Sequence, residues 1–364
     1  SSQALRFNLS ATSQYPDGYP TITASKDSNV RPISVDNGLV RGEHVIAAFN
    51  AGVAHNSTCS VCSNNPRTKG IIDIKNYGSG TVKGIHSEYT AANYVTYYWE
   101  GDKGTEKRSG IITITNNGNG ASYGIYAKNW ATSILLPKLA LSLLTSTLTS
   151  DITINNNGLG TATGIHGAFV SNVSAKGTKG ELISNITINN GSAGTMIGMH
   201  ADTPLNSDGT VQTTKISIDS KNTSVGSYAL NNGTIILTGK NNTGTGYGIR
   251  AGLDATITNS GTIKISGVET GYGIYAEGGT GTITNSGTID VSATNAYGIF
   301  VKDGTNTTVK NTGTIRLNGT ACTDCGGSES VGNYIVLNGA TLQNQGVLSA
   351  RSLNLNSLGG TVVA

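Results

Sequence analysis

The sequence predicts an all-β protein with the architecture of a parallel β-helix. Three observations lead to this prediction: short phrases recur every 25–40 residues, each is a run of β-branched residues bounded by glycine, asparagine or serine, and 50 of the 364 residues are glycine. Short alternating runs between turn residues are typical of strands. A repeat that cannot bury its own apolar face is typical of a solenoid.

Two phrases, joined by an Asn/Gly turn, recur in the first half of the chain. One is an isoleucine alternation, at Ile72-Asp-Ile74, Ile112-Thr-Ile114, Ile152-Thr-Ile154, Ile186-Thr-Ile188 and Ile216-Ser-Ile218. The other is a glycine-to-apolar step, at Gly84-Ile-His86, Gly124-Ile-Tyr126, Gly164-Ile-His166 and Gly198-Met-His200. This second phrase advances by 40, 40 and 34 residues, so we expect one turn of the solenoid per copy.

The period shortens from about residue 240 onward. Tyr247-Gly-Ile249, Tyr272-Gly-Ile274 and Tyr297-Gly-Ile299 lie 25 residues apart. The phrase Thr256-Ile-Thr-Asn-Ser-Gly-Thr-Ile263 returns at 282–289 with an offset of 26, and Asn311-Thr-Gly-Thr-Ile315 continues it. Such close repetition indicates stacked turns of nearly equal length.

Successive copies are expected to stack about 4.8 Å apart, because stacking buries the face that two or three short strands cannot bury alone. Isoleucines then form an apolar ladder inside, and Asn259, Asn285 and Asn311 stack at one corner, where amides can bond along the stack. The chain lacks the 3.6-residue period of an α-solenoid and the frame of a leucine-rich repeat. A β-propeller is an alternative for the 40-residue copies, although 25 residues is short for four strands.

Composition excludes several classes of protein. Charged residues make up 12 % and the net charge is +3, which argues against a disordered chain and gives little support for a nucleic-acid partner. Six prolines without a G-x-y triplet argue against collagen. No apolar stretch reaches about 18 residues, so no transmembrane helix is predicted.

Extra residues in the first half follow the glycine step, and we expect them to project from one side as loops at about 86–110, 127–150, 167–184 and 201–214. The first loop holds Tyr97, Tyr98 and Trp99. Exposed rings suit sugar and protein surfaces, and they also shield sheet edges. The second loop is leucine-rich and contains Trp130, Leu135 and Leu136, so it either covers the spine as a short helix or hairpin, or contacts a partner or membrane.

Four cysteines form two close pairs, Cys59 with Cys62 and Cys322 with Cys325. This spacing favours two small disulfide loops in an exported protein. The pairs lie about 260 residues apart without flanking histidines, which disfavours a shared zinc site, and no helical pattern surrounds either pair, which disfavours a thioredoxin-like site. We expect neither a metal nor another cofactor.

Histidines and carboxylates give weak signals for chemistry. His86, His166 and His200 share the position after the glycine step, where we expect a tolerated polar or aromatic side chain rather than a metal ladder. A glycan-cleaving enzyme needs paired carboxylates. The candidates are Asp202 with Asp208, and Glu100 with Asp102 and Glu106; we expect both groups to be solvated loop residues.

The phrases TITNSGTI, YGIYA and NNGxG at these periods resemble the passenger domains of bacterial type V autotransporters, over about residues 70–350. The similarity is closest to the adhesin and self-associating groups and looser to the vacuolating cytotoxin group. It implies a right-handed β-helix at the bacterial cell surface or secreted, and close cysteine pairs fit that family. Residues 1–69 match poorly and are expected to form a cap or an irregular start. Residues 351–364 would be the end of a passenger fragment.

The sequence thus predicts a non-enzymatic adhesin that contacts a host-cell protein or glycan, or a second copy of itself. The expected contact residues are Tyr97, Tyr98, Trp99, Trp130, Leu135 and Leu136. Two alternatives stay open. One is a toxin-like passenger that oligomerises and engages membranes through residues 130–148, and the other is a glycan-cleaving β-helix enzyme.

Overall fold

A computed structural model describes the backbone of residues 110–133, 147–218, 220–323, 330–356 and 361–363, together with strands and short segments before residue 110. Side chains are described at residues 74–76, 80–85, 111–133, 147–218, 220–321, 332–353 and 362–363. Within these ranges the chain forms strands and no helix, which confirms the predicted all-β class. Accordingly, none of the described residues belongs to a helix long and apolar enough to cross a membrane.

Strands up to residue 190 are β1 (Leu5–Leu9), β2 (Thr21–Ala24), β3 (Ile33–Val35), β4 (Gly38–Val40), β5 (Val45–Phe49), β6 (Ile71–Asn76), β7 (Val82–Ser87), β8 (Thr90–Ala92), β9 (Thr96–Trp99), β10 (Thr105–Arg108), β11 (Gly110–Asn116), β12 (Ser122–Ala127), β13 (Trp130–Thr132), β14 (Thr147–Asn156), β15 (Thr161–Gly167), β16 (Phe169–Asn172), β17 (Ala175–Lys176) and β18 (Glu181–Asn190).

Strands after residue 190 are β19 (Thr195–Ala201), β20 (Thr214–Ile218), β21 (Lys221–Val225), β22 (Tyr228–Asn231), β23 (Thr234–Thr238), β24 (Thr245–Leu253), β25 (Thr256–Asn259), β26 (Thr262–Gly278), β27 (Thr282–Asn285), β28 (Thr288–Asp303), β29 (Thr308–Asn311), β30 (Thr314–Gly319), β31 (Cys322–Thr323), β32 (Ser330–Val331), β33 (Asn333–Val336), β34 (Thr341–Asn344), β35 (Val347–Ala350), β36 (Asn354–Asn356) and β37 (Thr361–Val363).

The chain divides into two compact units, residues 1–165 with 172–194, and residues 166–171 with 195–364. Each unit is built as a parallel β-helix, because strands from successive turns pair in parallel and in register. In the first unit, β6, β11, β14 and β18 form one face, and equivalent isoleucines pair along it. One fully buried column on this face is Ile74, Ile114, Ile154 and Ile188.

The second unit repeats three strand positions per turn. First strands are β23, the start of β26, the start of β28, β30 and β35. Second strands are β24, the end of β26, the end of β28, β33 and β36. Third strands are β22, β25, β27, β29, β34 and β37. The apolar core includes the column Ile235, Ile263, Ile289 and Ile315, whose members are at most 1 % exposed.

The predicted asparagine stack is confirmed in the second unit. Asn259 donates from Nδ2 to Oδ1 of Asn285 over 2.8 Å, and Asn285 donates to Asn311 over 2.9 Å. The ladder extends beyond the prediction to Asn231 and Asn344, each joined by a 2.8 Å bond. Buried amides in this corner therefore satisfy one another along the stack.

The expectation that Ile216-Ser-Ile218 belongs to the isoleucine ladder is wrong. These residues lie in β20, which pairs antiparallel with β21 in a hairpin, and Ile216 and Ile218 are only half-buried. Ile235 and Leu237 occupy the ladder position instead, opposite Ile263 and Ile265. Alternation with a period of two describes both kinds of strand, so it could not separate them.

Strands extend into the four ranges that were predicted as loops. Range 127–150 contains β13 and the start of β14, whose Leu148 is a buried core residue, and range 167–184 contains β16 and β17. Insertions also enter the turn at different places. Residues 134–146 separate a third strand, β13, from a first strand, β14, whereas the β20–β21 hairpin separates a second strand, β19, from a third strand, β22.

Candidate functional site

A column of tyrosines lies on the outer face of the second strands of the second unit. Tyr247 (β24), Tyr272 (β26), Tyr297 (β28) and Tyr334 (β33) pair in register. Successive ring centroids are 4.8, 4.7 and 4.7 Å apart, with interplanar angles of 8°, 21° and 23°. The column thus follows the spacing of the strands, and its rings are half-buried against one another.

A second column runs beside the tyrosines, three residues further along each strand. It contains Arg250, Tyr275 and Phe300, which also pair in register. The rings of Tyr275 and Phe300 stack at 4.9 Å with an interplanar angle of 3°, and they meet the first column edge to face at 5.5–5.8 Å. We call the six rings of both columns the aromatic strip: Tyr247, Tyr272, Tyr275, Tyr297, Phe300 and Tyr334.

The Tyr-Gly-Ile phrase explains why both columns face outward. Gly273 and Ile274 are buried in succession between Tyr272 and Tyr275, so the usual alternation is interrupted and residues three apart reach the same face. A Cβ at Gly273 would lie 2.6 Å from the carbonyl oxygen of Gly298, on the next turn. Glycine is therefore required where the strands approach most closely.

Three phenol groups of the strip, those of Tyr272, Tyr275 and Tyr297, have a raised pKa and are neutral at physiological pH. Burial, reinforced by Tyr247, Tyr297 and Tyr275, raises the pKa of Tyr272 to about 12. Burial also raises the pKa of Tyr275 and of Tyr297 above the ordinary tyrosine value. Stacked neighbours cover the ring faces, so the strip presents ring edges and hydroxyl groups that can donate and accept hydrogen bonds.

Two histidines and an arginine lie at the end of the second column. Arg250 places its guanidinium carbon 5.1 Å from the ring centroid of Tyr247 and 5.6 Å from that of Tyr275. His200 pairs in register with Arg250, and its ring meets that of His166 at 5.1 Å. Burial lowers the pKa of His200 to about 4, with His166 and Arg250 adding to the effect and Asp202 opposing it.

The histidines that follow the glycine step lie beside other rings or pair with a tyrosine on the next turn. His86 pairs in register with Tyr126 in the first unit, and His166 adjoins His200 in the second. Within the described part of the chain, no three His, Cys, Asp or Glu side chains lie close enough to hold a metal ion.

Asp202 and Asp208, the candidate carboxylates in the described loops, have different partners. Asp202 lies 3.9 Å from His166, whereas Asp208 accepts hydrogen bonds from the backbone and hydroxyl of Thr210. These bonds lower the pKa of Asp208, as expected for an exposed capping carboxylate. Glu100 and Asp102 lie outside the described residues, and Glu106 is described only as part of the β10 backbone.

The predicted contact residues are placed to different extents. Tyr97, Tyr98 and Trp99 form β9, which pairs antiparallel with β10, and Trp130 is a half-buried residue of β13. Leu135 and Leu136 lie outside the described residues, as do Cys59, Cys62 and Cys325. Cys322 begins β31, where its backbone pairs with Val331. Both disulfides stay predictions.

The aromatic strip was missed as a site, although its signal was present in the sequence. Tyr247, Tyr272 and Tyr297 were interpreted only as markers of the 25-residue period. A large aromatic residue at a fixed place in every turn must form a column. The residue three positions later, Tyr275 or Phe300, is also aromatic and forms a second column.

Comparisons with known proteins do not assign this chain to a family. No protein-family model, no curated protein and no solved structure matches it.

Proposed function

We propose that this protein is a non-enzymatic adhesin of the autotransporter-passenger type, exposed at the bacterial surface or secreted, and that the aromatic strip is a principal contact surface. The observation that carries this proposal is the alignment of six half-exposed rings on one sheet face of the second unit. Ordered aromatic side chains in a contiguous patch are typical of surfaces that bind other molecules.

The rigidity of the strip supports a binding role. Tyr272 and Tyr297 are each stacked between two neighbouring rings, and the glycine and isoleucine that follow Tyr272 in β26, Gly273 and Ile274, are buried. Such side chains lose little conformational entropy when a partner binds, because they are already ordered. A host-cell protein or glycan, or a second copy of the chain, can therefore use this surface without remodelling it.

The loops remain part of the proposal as a second contact region. Tyr97, Tyr98 and Trp99 lie in the β9–β10 hairpin, and Trp130 lies in β13, which precedes the segment that contains Leu135 and Leu136. The strip and the loops are separate candidates because they belong to different units of the chain. Their contributions can be measured independently.

The test is adhesion of the purified chain to host cells and to immobilised copies of itself. A Tyr272→Ala/Tyr297→Ala variant should lose about tenfold or more in apparent affinity, since central aromatic contacts dominate binding surfaces. Its matched control, Thr258→Ala/Thr284→Ala, alters outward residues of β25 and β27 on another face. A second variant, Tyr272→Phe/Tyr297→Phe, keeps the rings and should retain the fold.

Wild-type adhesion in both tyrosine variants would overturn the assignment of the strip. The loop variant Tyr97→Ala/Tyr98→Ala/Trp99→Ala then measures whether the hairpin carries binding instead. Unfolding in urea, followed for every variant, separates lost binding from lost structure.

A further inference from the structure

Arg250 departs from the aromatic character of its column. The equivalent residues on the next two turns are Tyr275 and Phe300, with which it pairs in register. Its guanidinium lies within 5.1–5.6 Å of the ring centroids of Tyr247 and Tyr275. Contact with rings holds the side chain in place, and a planar guanidinium on an aromatic surface keeps N–H groups available in its own plane.

Arg250 has no anionic partner among the described residues. Arg316 lies 3.5 Å from Asp290, and Lys302 lies 3.5 Å from Glu277. Asp202, which lies on the same side as His200, has His166 as its neighbour at 3.9 Å. Glu277 is thus paired with Lys302 and Asp202 lies beside His166, so neither carboxylate forms an ion pair with Arg250 in the described part of the protein.

The surroundings of Arg250 restrict which anion fits. A single guanidinium can bind one carboxylate through two parallel hydrogen bonds. The neighbouring His200 is neutral near pH 7, because burial lowers its pKa to about 4, so it adds no second positive charge beside Arg250 for a doubly charged phosphate. A monoanionic carboxylate therefore matches the charge of this site.

We infer that Arg250, with Tyr247, Tyr272 and Tyr275, forms a subsite for the carboxylate of a uronate-containing oligosaccharide that lies along the aromatic strip. This inference rests on the proposed function and names the ligand class for the same surface. The tyrosine rings of the first column recur with a centroid spacing of 4.7–4.8 Å, and the hydroxyl groups of the strip make no hydrogen bond to described residues. A linear chain of sugar hydroxyls can pair with such a row, while ring edges contact its C–H groups.

The experiment is calorimetric titration of the full chain with an oligogalacturonate and, separately, with its methyl ester. The two ligands share their rings and hydroxyls and differ in the charge of the carboxyl groups. We expect the ester to bind at least about tenfold more weakly, and the Arg250→Gln variant to lose about tenfold for the acid only. Arg250→Lys should recover part of this loss. Arg316→Gln, which removes an equal charge from another face, should bind like the wild type.

Three results would overturn the inference: no binding of the acid, equal binding of acid and ester, or an equal loss in the Arg316→Gln variant. Tighter binding of a poly-glutamate peptide would instead assign the site to an acidic protein segment. The proposed function fails separately, through the Tyr272→Ala/Tyr297→Ala variant in cell adhesion. If that variant loses adhesion while Arg250→Gln does not, the strip is a contact surface with a different ligand.

Discussion

Asn259 donates its side-chain amide to the side-chain oxygen of Asn285 across 26 residues of sequence and 2.8 Å of space, and both side chains are fully buried. The same bond recurs along the corner of the second unit, from Asn231 to Asn344. Each internal asparagine is therefore a donor to one neighbour and an acceptor from the other. Removing one member leaves a buried donor and a buried acceptor without their partners.

We expect Asn285→Ala to lower the free energy of unfolding by about 2–4 kcal/mol, because Asn259 loses its acceptor and Asn311 loses its donor. The matched control is Asn344→Ala at the end of the described ladder, where only the bond from Asn311 is lost. Urea denaturation measures both changes. Equal losses in the two variants would mean that the ladder does not act through its paired bonds.

The two kinds of isoleucine should respond differently to truncation. Ile263 is fully buried in the apolar column, so Ile263→Ala should cost about 2–5 kcal/mol. Ile216 is half-buried in the β20–β21 hairpin, so Ile216→Ala should cost about 1 kcal/mol or less. Thermal or urea unfolding measures both losses of stability. A larger loss for Ile216→Ala than for Ile263→Ala would contradict the placement of Ile216 in a half-buried hairpin.

Alkaline titration should reveal the stacked tyrosines. The pKa of Tyr272 is raised to about 12 from an ordinary value of 10.0, so tyrosinate absorbance should include a late step that Tyr272→Phe removes. The folded state then holds a proton that the unfolded state releases. Stability from this group is complete below pH 10 and is lost as the pH rises toward 12. A titration that is complete near pH 10 would contradict the stacked arrangement.

Acid should destabilise the protein through His200. Burial, with smaller effects from His166 and Arg250, lowers the pKa of His200 from 6.5 to about 4. Between pH 6.5 and 4, His200 is therefore protonated in the unfolded chain but not in the folded one. Stability therefore falls as the pH drops from 6.5 toward 4, by about 2–3 kcal/mol. Urea unfolding at pH 7.5 and 4.5 should show a smaller decrease in His200→Asn. An unchanged pH dependence in that variant would exclude His200 as the source.

Much of the fold could be predicted because each copy of the repeat stacks on the next copy, so equivalent residues become neighbours. TITNSGTI recurs with an offset of 26 residues, so stacking one copy on the next places Asn259 on Asn285 and Ile263 on Ile289 without further information. Where copies diverge, the prediction failed. Ile216 and Ile218 alternate like ladder residues, yet an antiparallel partner, β21, follows them directly and pairs with them first.

The aromatic strip was harder to predict than the stacked strands of the β-helix. Alternation places Tyr272 and Tyr275 on opposite faces, and only the buried Gly273 and Ile274 between them bring both rings outward. Whether Arg250 forms an ion pair within the described residues also depends on where carboxylates lie on neighbouring turns, as the contrasting pair of Arg316 and Asp290 illustrates. Such relationships cross turns and appear only once the register is known.

The register of the second unit has a consequence for how this surface can evolve. Every turn from β24 to β33 supplies one tyrosine to the first column, and β26 and β28 each also supply a ring to the second. An in-frame duplication or deletion of one whole turn would therefore add or remove the rings that this turn supplies. The side chains of the strip on the other turns would stay the same. The number of binding positions for an extended ligand would then be set by the number of turns. Evolution could change that number one turn at a time, without forming a new site.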